Sequence, residues 1–136
     1  MDAFDADVLI YAATPGHPLG RRVRPLLQDA ELARVGSTLL LPEILTKPTR
    51  ESSADELTAL LAVLSRLQLR PCDEATATLA VGLGSTYGLH AADAVHLATA
   101  VAAGADRFIT NNVSDVTPAI TELAVTYPQA LPEPHG

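Results

Sequence analysis

The stretch from Gly88 to Asn112, GLHAADAVHLATAVAAGADRFITNN, limits the possible folds more than any other. From Ala91 to Ala103 nearly every residue is small or apolar, with Asp93, His96 and Thr99 as the exceptions. A helix that is apolar on all sides is a buried helix. Its carboxylate, Asp93, falls in the first turn, and a buried carboxylate is costly unless it is paired or bound to a cation. Gly104 stands where a helix ends on a left-handed glycine. Arg107 to Thr110 then reads as a short strand that stops at Thr110-Asn111-Asn112. Helix, tight turn, strand and polar loop make half of a βαβ unit. The loop after the strand is where such sheets bind ligands.

The rest of the chain fits a short α/β domain. Val8-Leu9-Ile10-Tyr11 reads as a buried parallel strand or its end, with Asp5 and Asp7 at its head. An amphipathic helix is expected over 19–33, kinked or delayed by Pro25, and a second strand over 33–36. Ser37 or Thr38 can cap the next helix, LLLPEILTKPTR. The leucine and valine spacing over 55–67 predicts another helix. Leu69 to Cys72 reads as an extended link, and Asp73 as the cap of a helix over 74–87. A last strand is expected over 123–127, after a helical turn over 118–122. The three prolines beyond it predict a flexible tail over 128–136. The expected fold is α/β, three-layered, with a short, mainly parallel central sheet flanked by helices. It occupies one domain over 1–127.

Charge and cysteine content narrow the functions. The formal net charge is -7, with nine basic residues, of which Lys47 is the one lysine. That argues against sequence-independent nucleic-acid binding through a basic surface. It leaves room for a nucleic-acid enzyme whose carboxylates are offset by metal ions, and it suits a basic protein partner. Arg21, Arg22 and Arg24 are the densest basic cluster, either a solvated helix face or a phosphate-contact patch. One cysteine, Cys72, excludes an internal disulfide framework and a cysteine-rich zinc site. No apolar stretch is long enough to span a membrane. Asp2, Asp5 and Asp7 stand where a signal peptide would be basic. A cytoplasmic protein is expected.

Four acids are isolated in otherwise apolar or loop surroundings: Asp5, Glu43, Asp93 and Asp115. At the carboxyl edge of a parallel sheet such positions can converge. Clustered carboxylates cannot all stay ionised without a cation. Oxygen-only ligands favour Mg²⁺ or Mn²⁺, which suits phosphoryl chemistry. Each acid also has a plainer reading. Asp5 or Asp7 can cap a helix or be solvated, and Glu43 can pair with Lys47 one turn on. His96, three residues after Asp93, is either a satisfied core histidine or a neighbour of the site. The first of these is the more common, so His96→Ala is expected to keep at least part of any activity.

The pieces FDADVLIYA, STLLLPEIL and GLHAADAVHLATAVAAGADRFITNN, in this order and spacing, resemble a PIN-domain ribonuclease of the VapC toxin type. The resemblance covers nearly the full chain. It implies a metal-dependent endoribonuclease, the toxin of a toxin–antitoxin pair, that hydrolyses RNA phosphodiesters with a metal-activated water. Carried over, the family's acids fall on Asp5, Glu43 and Asp93, with Asp5 and Asp93 as metal ligands. The fourth falls on Asp115, because Asn112 stands where many members have aspartate. Asp7, Thr110 and Asn112 become supporting polar groups. The cofactor implied is Mg²⁺ or Mn²⁺, and the partners are an RNA substrate, a cognate antitoxin protein and a second copy of the chain in a homodimer. Two other readings stand beside it. One is a haloacid-dehalogenase-like phosphatase, suggested by Asp5 and Asp7 two apart, although its later acidic pair is missing. The other is a non-catalytic PIN-like binding module.

Overall fold

The computed structural model describes residues 1–134. Five short strands form one sheet, β1 (Asp2–Phe4), β2 (Arg34–Ser37), β3 (Gln68–Arg70), β4 (Arg107–Ile109) and β5 (Ala124–Thr126). Their order is β3-β2-β1-β4-β5, and every neighbouring pair is parallel. Six helices complete the fold: α1 (Ala6–Ala13), α2 (Pro18–Gln28), α3 (Leu40–Arg50), α4 (Ala54–Leu64), α5 (Glu74–Tyr87) and α6 (Ala91–Ala102).

Strand alternation divides the core into two layers. Ala3, Val35 and Phe108 face α5 and α6, packing with Ala80, Leu83, Ala94, Leu97 and Ala98. Phe4 and Ile109, one residue further along their strands, face the other way onto Val8 and Leu9 of α1, Val23 and Leu27 of α2, Leu40 of α3 and Leu60 of α4. Successive side chains of a strand point to opposite faces, so three residues suffice to hold both layers. The chain builds β1, β2 and β3 outward with α1 to α4 on one face. It then returns across the other face through α5 and α6 to place β4 on the free side of β1. The order of strands therefore reverses between β1 and β4, and that reversal opens a crevice at their carboxyl ends.

Four sequence expectations are corrected. Val8 to Tyr11 is not a strand but the body of α1. The strand is Asp2–Phe4, and Asp5 caps the helix, its Oδ1 accepting from the Ala6 N–H at 2.8 Å. The buried positions Val8, Leu9 and Ala12 have helical spacing, with Ile10 turned outward; an apolar run this short fits either element until its packing is known. Leu69 does not lie in a link but in β3, the edge strand paired to β2. Of the helical turn expected over 118–122, a turn at Pro118 and Ala119 is present and the rest is irregular. The segment after Tyr127, expected to be flexible, folds as a 3-10 helix (Pro128–Ala130) followed by buried Leu131. Arg22 holds it by donating to the carbonyls of Gln129 and Leu131 at 3.1 and 3.0 Å. Of that expected tail, residues 135–136 lie outside the described residues.

The basic cluster of α2 is thereby accounted for. Besides Arg22, which also pairs with Glu133, Arg24 reaches the Ala12 carbonyl. Only Arg21 of the three is a plainly solvated cation. Among the described residues, no helix is long and apolar enough to cross a membrane.

Candidate functional site

Asp5 leaves the end of β1 into the crevice between β1 and β4. It is 8% exposed. Its second oxygen, Oδ2, accepts from the Thr110 hydroxyl at 2.8 Å. Thr110 follows β4 directly and is fully buried, and its Oγ1 in turn accepts from the Asn112 N–H at 3.1 Å. The side-chain amide of Asn112 donates to Asp93 Oδ2 at 3.4 Å. A chain of polar contacts thus runs from Asp5 through Thr110 and Asn112 to Asp93, joining residues from β1, the loop after β4 and the first turn of α6.

Asp7 lies in the same crevice but is spoken for by backbone. Its Oδ1 accepts from the Val8 N–H at 2.7 Å and its Oδ2 from the Asn111 N–H at 3.0 Å. Burial and then the charge of Asp5 push its carboxyl up to about 6, although both N–H groups work in the opposite direction. Asp93 is also raised above the ordinary carboxylate range. Burial is the largest cause, followed by the negative charges of Asp5 and Asp115, against a smaller lowering by His96 and His90. Asp115 itself is exposed on the loop beyond Asn112. It acts on Asp93 through its field, not through a hydrogen bond.

Glu43 sits in the first turn of α3, partly exposed. Its Oε1 meets His96 Nε2 rather than Lys47, and His96 is 3% exposed. His96 is therefore both a buried core residue and a neighbour of the acids, which merges the two readings left open by the sequence. Its other ring nitrogen, Nδ1, is buried without a partner among the described residues.

Asp5, Asp93, Thr110 and Asn112 are thus brought together by direct contacts, Asp7 and Asp115 border them, and Glu43 joins through His96 on the helix that carries Asp93. The Glu43–His96 pair escaped the sequence reading. Helical spacing puts His96 one turn after Asp93, but nothing in the sequence shows that α3 crosses that face. A second feature escaped it too. Asp2 is buried and takes a two-pronged contact from Arg107, Nε to Oδ1 at 2.9 Å and a terminal nitrogen to Oδ2 at 2.7 Å. The two residues are register partners of β1 and β4, so the pair pins the strands whose far ends form the crevice.

The donor set facing the crevice is carboxylate oxygen with amide and hydroxyl support. Each oxygen of Asp5 keeps a lone pair after its one hydrogen bond. Asp93, raised by burial and then by the negative charges of Asp5 and Asp115, is an acid that a cation would relieve. Among the described residues no three His, Cys, Asp or Glu side chains are gathered tightly enough to enclose an ion. That arrangement fits a cation held by one or two carboxylates with most of its water retained, as Mg²⁺ is.

A family model, the PIN domain, matches residues 3–114. Among solved structures, the chain is similar to a toxin–antitoxin complex from Klebsiella pneumoniae, at 23% identity and a TM-score of 0.73, over 94% of this chain and 98% of that one. It is also similar to a VapBC2 structure from Rickettsia felis bound to a DNA fragment from their promoter, at 17% identity and 0.71, over 93% and 97%. A third is a FitAB structure bound to an IR36 DNA fragment, at 21% and 0.65, over 99% and 100%. No curated protein matches the chain.

Proposed function

The chain belongs to the PIN domain family, and from that premise we propose that it is a Mg²⁺- or Mn²⁺-dependent endoribonuclease, the toxin of a toxin–antitoxin pair. One observation carries the reading. Asp5, at the end of β1, and Asp93, in the first turn of α6, are linked through Thr110 and Asn112 at the point where strand order reverses, and Asp115 stands on the loop beside them. Family membership removes the phosphatase alternative.

In this reading Asp5 and Asp93 hold the cation, with Glu43 and Asp115 completing the acidic rim. When bound, the cation supplies an activated water and stabilises the charge that develops on the phosphate. Thr110 orients Asp5 by donating to Oδ2, while the Ala6 N–H fixes Oδ1. Asn112 does the same for Asp93. Asp7, tied to two backbone N–H groups, holds the loop after β4 against the start of α1. His96 fixes Glu43 on that rim by contact with its Oε1.

One of the similar structures is a toxin–antitoxin complex, and the other two, VapBC2 and FitAB, are bound to DNA fragments. They support an antitoxin as partner of this chain. So do Ile10, Leu41 and Leu61, exposed apolar residues of α1, α3 and α4 on the layer beside the site. A homodimer completes the proposal, with exposed Val81 and the apolar groove between α5 and α6, about 390 Å³, as the face for a second copy.

The test is cleavage of single-stranded RNA by the purified chain with Mg²⁺ or Mn²⁺, with and without chelator, beside Asp5→Asn and Asp93→Asn. Metal-dependent cutting that both variants lose supports the proposal. Cutting that persists in chelator, or in both variants, refutes it.

A further inference from the structure

Arg70 stands at the carboxyl end of β3, the edge strand, on the same edge of the sheet as the acids. Among the described residues no group accepts a hydrogen bond from its side chain, and its Nε is buried without a partner. Other arginines of the chain are satisfied: Arg34 by three backbone carbonyls, Arg22 by two carbonyls and Glu133, Arg107 by Asp2. A guanidinium offers five N–H donors in a rigid fork; in Arg70 the buried Nε–H is left unmet, which is costly, and the terminal nitrogens make no bond among the described residues.

The Arg70 guanidinium lines a groove of about 650 Å³ with Gln68, Pro71, Thr76 and Thr99. Asp73 lines it too, but its Oδ1 is turned onto the start of α5 and accepts from the Thr76 N–H at 2.8 Å. Pro71 also borders a second cavity, of about 490 Å³, with Thr38, Leu39, Pro42 and Val95. Pro42 precedes Glu43 and Val95 precedes His96. The two cavities share Pro71 and together make one trough, with Arg70 at one end and the sequence neighbours of Glu43 and His96 at the other.

We infer that this trough carries the RNA strand and that Arg70 grips a phosphate flanking the one that is cut. The inference rests on the proposed nuclease reading and names how that site holds its substrate. β3 lies two strands from β1, about 10 Å at the usual inter-strand spacing. Roughly three nucleotides at 3.4 Å of stacking span that distance. A guanidinium fork matches phosphate oxygens in two-pronged geometry. It also resolves the charge problem of an acidic chain acting on a polyanion. Arg70 stands at the distal end of the path, where its charge draws the strand along the trough.

The test is equilibrium binding of a fluorescent single-stranded 12-nucleotide RNA in chelator, measured at several salt concentrations by anisotropy. It compares wild type with Arg70→Gln, Arg70→Lys and Arg50→Gln, an exposed arginine at the far end of α3. Metal-dependent cleavage of the 12-mer and of a dinucleotide is followed in parallel. Arg70→Gln is expected to weaken binding about five- to tenfold and to reduce the salt slope by about 0.7, one phosphate contact on a single strand. Arg70→Lys keeps most of that slope, and Arg50→Gln keeps all of it. Cleavage falls for the 12-mer and stays unchanged for the dinucleotide, which has no flanking phosphate. If wild type cleaves RNA but Arg70→Gln shows unaltered slope and affinity, or matches Arg50→Gln, the Arg70 contact is refuted while the nuclease reading survives. If wild type neither binds nor cleaves RNA, both fall together. Loss of dinucleotide cleavage in a folded Arg70→Gln would place the residue at the scissile phosphate and overturn the flanking assignment.

Discussion

Replacing Thr110 by valine keeps its shape and removes one oxygen, and that oxygen serves two partners. It donates to Asp5 Oδ2 at 2.8 Å and accepts from the Asn112 N–H at 3.1 Å, at a position with no exposure to water. A hydrogen bond to a charged group contributes about 1.5–3 kcal/mol, and a backbone N–H left without an acceptor costs about 1 more. The expected loss is therefore about 2–4 kcal/mol, a large part of the roughly 5–15 kcal/mol that holds a domain folded. At about 3–4 °C per kcal/mol for a chain of this size, the melting temperature should fall by roughly 10 °C. Thr110→Ser keeps the oxygen and loses a methyl group, for about 1 kcal/mol. Urea unfolding of the three proteins in chelator gives the comparison. A double-mutant cycle with Asp5→Asn should show coupling of about 0.5–3 kcal/mol. The reasoning fails if valine lies within about 0.5 kcal/mol of wild type by the same unfolding measurement, or if serine is the worse substitution. In the cleavage assay, valine should lower the rate about 10–100-fold through misplacement of Asp5.

Two further outcomes are expected. The Asp7 carboxyl is raised to about 6 in the folded chain from 3.8, so the folded state binds that proton more tightly than the unfolded one. Its contribution is complete below about pH 4 and is lost as pH rises through about 6. Discounted for its partial exposure, the loss is about 1–2 kcal/mol. Urea midpoints from pH 4 to 7 in chelator should show that decline, and Asp7→Ser should flatten it; an equal slope in the variant would remove Asp7 as its source. Gly20 and Gly82 both lie within helices, yet alanine should act oppositely at the two. A Cβ at Gly20 would stand 2.1 Å from the Tyr11 carbonyl oxygen, forcing α2 off α1, whereas at Gly82 it meets nothing within 4 Å. Thermal unfolding should show Gly20→Ala destabilised by about 1–3 kcal/mol or more and Gly82→Ala stabilised by about 0.5–1. The same sign at both positions would contradict the close approach of the two helices.

Much of the layered parallel architecture was legible because α6 is apolar almost all round and because Gly104 and Asp73 terminate and cap helices in ways that short sequence windows reveal. Gly104 has φ +77°, and Asp73 accepts from Thr76 as a cap should. The strands were harder. Three-residue strands such as Asp2–Phe4 are too short to show alternation, so the longer apolar run of α1 drew the strand assignment to itself. β3 was missed for the same reason, and with it Arg70. The isolation of Asp5, Glu43 and Asp93 in the sequence did mark residues at the carboxyl edge. Which groups hold them depends on contacts between residues distant in the chain. The Thr110–Asp5 bond, the Glu43–His96 pair and the Asp2–Arg107 pair join separations of 105, 53 and 105 residues. No local pattern carries that information.

The central position of β1 governs when the crevice can exist during synthesis. β1 is made first, yet one of its two neighbours, β4, is made after Ala102, and the Asp5 support arrives only with Thr110. A growing chain that has reached Tyr87 already contains Asp5, Asp7 and Glu43, and has three of its five strands. It still lacks the helix that brings Asp93, the strand that closes the crevice and the hydroxyl that orients Asp5. Pairings this distant in sequence form late and slowly. The order of synthesis thus brings Asp93 and the hydroxyl that orients Asp5 to the crevice only after β1, β2 and β3 have been made.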